Sequence, residues 1–341
     1  MSDPRLDPRI NAMLGQMQLG ESSDVKDRDE LIARMNSETA RQGTESLRQM
    51  MEICDSEEIA PSKGLSVETR ELTSTPDGNT IKLQLIRHVD AETRPGVYYI
   101  HGGGMMTMSC FDGNYRAWGK IIAAQGVNVA MVDFRNCIVP SSAPEVEPFP
   151  AGLNDCVSGL DWLIENAAEL GFDTSRLIVA GESGGGNLTL ATALKLNREG
   201  RAGRVGGFYA LCPYIAGEWP QDRFPSSVEN NGILLDLHNN VGKHSYGIEA
   251  FEKQDPLAWP IFASEDDLKG LPPVMISVNE CDPLRDEGVA FYRMLLEAGV
   301  EARCRQVMGT MHGTEIFPIA CPEISRDTAR NLADFCRAPG R

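Results

Sequence analysis

The sequence holds no run approaching the roughly 20 apolar residues that cross a bilayer, so no membrane partner is expected. It holds no basic run either. Lys and Arg number 32 against 49 Asp and Glu, a net charge of −17. Such an acidic surface repels phosphate backbones and excludes nucleic acid as a partner. The nine cysteines are odd in number, scattered and without a CxxC pair. Neither a disulfide framework nor a clustered zinc site is expected, and the thiols read as small hydrophobes in a reduced, cytoplasmic protein. Residues 1–15 carry Asp3, Arg5, Asp7 and Arg9 without an apolar stretch, unlike a secretory leader. No internal repeat or low-complexity block stands out. Neither glycine-rich loop spells G-x-G-x-x-G or ends in Gly-Lys-Ser/Thr. The cofactor expectation is therefore none, metal or organic.

What is present suits a large folded enzyme. The chain has 341 residues, 42% of them hydrophobic and 24% charged, with 33 Gly and 20 Pro. That is enough to bury a sizeable core and fits one α/β domain with a lid. Residues 1–60 are polar and Met-rich, with Leu31, Ile32 and Met35, then Leu47, Met50 and Met51, at helical spacing. They predict amphipathic helices that cover something. Val67 to Thr75 and Thr80 to Val89 flank Pro76-Asp77-Gly78 and predict a hairpin. Strand-like runs follow at 97–100, 127–134, 177–180, 205–211, 274–278 and 303–307. Helical patterns stand between them at 118–125, 157–167, 187–196 and 286–298. That alternation predicts an α/β fold with a mostly parallel central sheet and helices on both faces. Residues 213–272, rich in Pro, Trp, Asn and Asp, break the alternation and read as an insertion above the sheet. The expected organisation is an N-terminal helical segment, 1–60, and a catalytic domain, 61–341, carrying that insertion.

Two glycine loops carry the chemistry. Gly181-Glu182-Ser183-Gly184-Gly185 lies between a strand and a helix, the setting in which G-x-S-x-G presents a nucleophilic serine on a sharp turn. Side chains at 181 and 185 would collide with the neighbouring strand and helix, and the helix N-terminus favours developing negative charge. His101-Gly102-Gly103-Gly104 follows the 97–100 strand and leaves bare amides able to stabilise an alkoxide. Gly103, Gly104 and Gly184 are the candidate oxyanion donors. His101 has no metal-ligand partner at suitable spacing and reads as a loop-fixing residue. A serine needs a base, and the order serine, acid, histidine leaves His312 by elimination. His88 belongs to the hairpin, while His238 and His244 fall in the insertion. For the acid, Asp282 stands just past the 274–278 strand. Glu280 remains a rival on spacing, and Asp286 suits the cap or first turn of the next helix.

HGGG, GESGGGN and DPLRDEG, in this order, resemble the hormone-sensitive-lipase-like (family IV) bacterial esterases of the α/β-hydrolase fold. MVDFRN and FASEDDLKGLPP add similarity to their brefeldin A esterase branch. The likeness covers roughly residues 66–336. It departs from the majority reading GDSAGG at Glu182 and within the glycines after Ser183, and gives Glu182 no role. The resemblance implies Ser183, Asp282 and His312 as a catalytic triad, with Asp282 in place of Glu280. It also implies that residues 1–60 and the 213–272 insertion form a cap. The function it implies is carboxylic ester hydrolysis through an acyl-enzyme on small to medium esters, with a lactonase or amidase using the same triad as the alternative. The expected partner is a small-molecule ester, and the sequence leaves monomer and homodimer both open.

Overall fold

A computed structural model describes residues 3–14, 23–90 and 92–340. Among these residues eight strands, β1 (Leu65–Thr73), β2 (Thr80–His88), β3 (Arg94–Ile100), β4 (Asn128–Asp133), β5 (Phe172–Glu182), β6 (Gly207–Leu211), β7 (Val274–Asn279) and β8 (Ala302–Val307), form one sheet. Its order is β1-β2-β4-β3-β5-β6-β7-β8. The pairs β1–β2 and β2–β4 are antiparallel and the rest are parallel. This is the mostly parallel sheet expected. The strands foreseen from the sequence all form, with ends shifted by up to several residues.

The helices follow in chain order: α1 (Pro8–Leu14), α2 (Arg28–Met35), α3 (Glu38–Met51), α4 (Gly113–Ala123), α5 (Ala151–Glu165), α6 (Ala167–Leu170) and α7 (Gly184–Arg198). After them come α8 (Ser226–Glu229), α9 (Val241–Tyr246), α10 (Ile248–Glu252), α11 (Glu265–Leu268), α12 (Arg285–Glu297) and α13 (Pro322–Arg337). None of these is long and apolar enough to cross a membrane. Helix α13, not foreseen from the sequence, covers one sheet face with Ala329, Leu332, Ala333 and Phe335.

Side chains alternate between the faces of a strand, and the core divides accordingly. Tyr98 and Ile100 of β3 face Leu160 of α5 and Leu188 of α7 in one cluster, whereas Val97 and Tyr99 share the other with Trp118 of α4 and Phe335 of α13. Burial on both faces is why these strands read as continuous apolar runs. The hairpin turn is tied down by charge. Asp77 accepts from Arg135 at 2.5 Å, and Arg135 pairs with the fully buried Asp155 of α5 at 2.8 Å. Ser74 Oγ donates to the same Asp155 at 2.5 Å, so the buried carboxylate has hydrogen-bond partners as well as a counter-charge.

The N-terminal helices lie over the carboxyl ends of the strands. Leu6, Ile10 and Leu14 pack with Ile233, Cys281, Met311 and Cys321. Residues 24–36 grip the insertion. Val25 N–H donates to Asn240 Oδ1 at 2.8 Å, Asn240 N–H donates to Asp24 at 2.9 Å, and Leu31 is buried in the larger core. The insertion is anchored in turn by Glu287 of α12. Its carboxylate accepts from the N–H groups of Ile215 and Ala216 and from Trp219 Nε1 at 2.5–3.0 Å.

Candidate active site

β5 runs directly into Ser183, whose φ of 57° and ψ of −120° place a side-chain-bearing residue in strained backbone before α7 begins at Gly184. The strain is held by bonds on both sides of the residue. Ser183 N–H donates to Leu211 O at 3.0 Å, and Ser183 O accepts from Tyr214 and Asn187 N–H at 3.1 and 2.9 Å. The collisions anticipated at the flanking glycines are specific. A Cβ on Gly181 would stand 2.5 Å from Ile100 O, and one on Gly185 would stand 2.0 Å from the same atom.

The loop after β3 meets this elbow backbone to backbone, because a Cβ on Gly184 would lie 2.5 Å from Met105 N and 2.8 Å from Gly104 N. Gly103 and Gly104 take φ values of 91° and 63°, a left-handed region that glycine enters without steric cost. His101 is fully buried and stacked on Phe134 at 4.2 Å, with Nδ1 2.9 Å from Gly102 O. Burial lowers its pKa despite Asp133 nearby, so the ring is neutral and donates from Nδ1 to the Gly102 carbonyl. His101 is a loop-fixing residue, as its position in the sequence suggested.

Glu182, without a role in the motif reading, has the densest polar surroundings in the site. Tyr99 OH donates to its Oε2 at 2.5 Å, and Tyr115 OH and Gly102 N–H donate to Oε1 at 2.6 and 2.7 Å. Burial pushes its carboxyl up to about 7, against the lowering effect of these bonds.

Of the four carboxylates in DPLRDEG and its approach, one touches the histidine. His312 Nδ1 lies 2.8 Å from Asp282 Oδ2, while Asp282 Oδ1 accepts Leu284 N–H at 2.9 Å. The rival Glu280 accepts Gly309 N–H at 2.7 Å, and Asp286 accepts Ser226 N–H at 2.7 Å and pairs with Arg285 at 2.8 Å. Asp286 sits in the first turn of α12 without capping it, since Leu284 holds the cap position. The other histidines stand apart from this pair. His88 Nε2 lies 2.9 Å from Ala123 O, and His238 Nε2 lies 2.9 Å from Ser227 O. For His312, burial disfavours the imidazolium, but the charge and hydrogen bond of Asp282 outweigh it and raise the pKa well above 6.5.

Cys212, at the end of β6, was not singled out in the sequence. Its thiol belongs to the one described cluster of potential metal ligands near the site, with Asp282 and His312. An ion held there would occupy the carboxylate and the imidazole together. Burial pushes the thiol up to about 11, so it is a neutral neighbour of the histidine at ordinary pH.

Ser183, His312, Gly103 and Gly104 line one cavity of about 440 Å³. Its walls come from both outlying segments. Leu47 and Met51 of α3 stand on one side, and Leu234, Leu237 and Val241 of the insertion on another. Among the described residues, the other N-terminal methionines and their neighbours do not line it. Met13 and Leu14 pack behind the His312 loop, Met35 rests on the main core and Met50 is exposed, while Met17 lies outside the described residues.

Residues 97–316 match the family profile described as alpha/beta hydrolase fold, and the protein belongs to this family. Carboxylesterase NlhH of Mycobacterium tuberculosis is 34% identical over 250 residues, 72% of this chain and 74% of that one. Esterase Est22 superposes with a TM-score of 0.97 at 62% identity over 98% of both chains, and it has also been solved with p-nitrophenol. Brefeldin A esterase, a bacterial homologue of human hormone-sensitive lipase, superposes with a TM-score of 0.85 at 34% identity, covering 98% of this chain and 94% of that one. Within the hydrolase fold the chain is a hormone-sensitive-lipase-like esterase, one of the family IV carboxylic ester hydrolases.

Proposed function

We propose that this carboxylic ester hydrolase works through an acyl-enzyme on Ser183, with His312 as base and Asp282 as its orienting acid. Ser183 Oγ attacks the ester carbonyl while His312 takes its proton through Nε2, the nitrogen left free by the Nδ1 contact to Asp282. The oxygen of the tetrahedral intermediate receives the N–H groups of Gly103, Gly104 and Gly184. His312 then returns the proton to the leaving alcohol. Water repeats the cycle through the same base and releases the acid. The observation that carries this reading is the 2.8 Å contact between His312 Nδ1 and Asp282 Oδ2, beside a cavity that His312 shares with Ser183.

The apolar walls, Leu47, Met51, Met106, Met108, Leu234 and Phe317, favour small to medium esters with apolar acyl or alcohol parts. The N-terminal segment, 1–60, and the 213–272 insertion act as the cap, which supplies Leu47, Met51 and Leu234 of those walls. Nine free thiols, eight of them buried, suit a reducing compartment such as the cytoplasm. The reading is tested by rapid mixing with p-nitrophenyl acetate. A burst of p-nitrophenol approaching one per active site, with acetate recovered on the peptide holding Ser183, is expected. A burst with acetate on another residue contradicts it.

A further inference from the structure

Glu182 presents a puzzle that the triad chemistry leaves unsolved. It is 1% exposed and immediately precedes Ser183, yet its partners are neutral donors: two tyrosine hydroxyls and one backbone N–H. A buried carboxylate without a counter-charge carries a desolvation cost that an apolar residue of similar volume would avoid.

Its partners show what the group achieves. Glu182 Oε1 accepts Gly102 N–H at 2.7 Å, with Tyr115 OH 3.0 Å from the same nitrogen. On the other side, Gly102 O accepts from His101 Nδ1 at 2.9 Å. The Gly102 carbonyl and the Gly103 N–H belong to one rigid peptide plane. Gripping Gly102 at both its N–H and its C=O therefore sets the direction in which Gly103 N–H points. The fit is close, since a Cβ on Gly102 would stand 2.3 Å from Glu182 Oε1. Tyr99 reaches in from β3 and Tyr115 from α4, so the carboxylate links the sheet and α4 to the loop. Burial raises both phenols well above 10, so they remain donors throughout the working range.

We propose that Glu182 is the positioning residue of the oxyanion loop, holding Gly102 so that Gly103 N–H is aimed at the alkoxide that develops when Ser183 attacks. It acts by accepting hydrogen bonds from fixed directions, not by its charge. The proposal rests on the assignment of Ser183 as nucleophile and Gly103 as oxyanion donor.

The test uses an aryl trifluoromethyl ketone. Ser183 Oγ adds to its carbonyl carbon, the serine proton passes to His312, and the carbonyl oxygen becomes an alkoxide in the oxyanion site. Glu182→Met keeps the volume and removes the acceptors. It is expected to lower kcat/KM for p-nitrophenyl acetate by about 10- to 100-fold, less than the ~10²–10³ for deleting a donor outright. The inhibition constant for the ketone rises by the same factor, while that for p-nitrophenol, which makes no alkoxide, stays within about 2-fold. Glu182→Gln keeps an oxygen for Gly102 and Tyr115 and can donate to Tyr99, so it retains activity within about 5-fold.

Ketone binding and turnover unchanged in Glu182→Met overturn the proposal. So does p-nitrophenol affinity lost in step with that for the ketone. If Glu182→Met does not fold, Glu182→Gln decides alone, and a loss in it beyond about 10-fold is contrary to the acceptor role. A wild-type enzyme that binds the ketone no better than p-nitrophenol refutes the nucleophile assignment, and the Glu182 proposal with it. Tight binding by wild type and Glu182→Met alike refutes Glu182 alone.

Discussion

Asp282 divides its two oxygens between His312 Nδ1 at 2.8 Å and Leu284 N–H at 2.9 Å, and its side chain is fully buried. The carboxylate is fixed by its own loop before it fixes the imidazole. Asp282→Asn should therefore lower kcat by about 10⁴-fold, as loss of an orienting carboxylate does elsewhere. Glu280→Gln and Asp286→Asn, whose carboxylates face Gly309 and Ser226, should stay within about 10-fold of wild type. A reversed ranking in steady-state kinetics moves the acid to another residue.

His312 must be neutral to accept a proton, and Asp282 raises its pKa above 6.5 against the opposing effect of burial. A raised pKa keeps the imidazole protonated to higher pH. The acid limb of kcat/KM should thus have its midpoint above about 6.5 and fall with one proton. A profile flat down to pH 4.5 in a folded enzyme contradicts a histidine base.

Glu287 bears on stability. Burial pushes its carboxyl up to about 8 from 4.5, so the folded state holds a proton that the unfolded chain releases. The stability linked to that proton is complete below about 4.5 and is lost as pH rises through about 8. Glu287→Gln removes the titration. Its Tm relative to wild type should rise between pH 5 and pH 8.5. A difference independent of pH, or one that falls, argues against a protonated Glu287.

The cap reading makes a substrate-dependent prediction. Leu47 and Met51 line the cavity from α3, far along the chain from the proposed triad. The double variant Leu47→Ala, Met51→Ala should lose roughly 10-fold in kcat/KM on p-nitrophenyl octanoate while acetate changes little, since lost remote contacts are lost binding energy. An unchanged ratio of the two esters removes these residues from the substrate wall.

Much of this was legible in the sequence because the signals are local. A strand leading into GESGG or HGGG places glycine, serine and amide within a few residues of one another, and the sheet then aligns their ends. Signals that cross between elements were not legible. Tyr99 and Tyr115 meet Glu182 from 83 and 67 positions away, and no periodicity announces such a meeting. Cys212 and Glu287 were hidden for the same reason. The destinations of the N-terminal methionines were hidden for a different reason. Helical spacing predicts an apolar face but not the surface it meets, so Met51 lines the cavity, Met35 joins the core and Met50 stays exposed.

The central claim is that Ser183 is the attacking group, and Ser183→Ala tests it most directly. The substitution removes one hydroxyl from a half-buried position and leaves the backbone bonds to Leu211, Tyr214 and Asn187 available. Turnover of p-nitrophenyl acetate should fall by on the order of 10⁴ or more, with circular dichroism and Tm matching wild type. A folded Ser183→Ala enzyme that keeps more than about a few per cent of wild-type kcat would contradict the account.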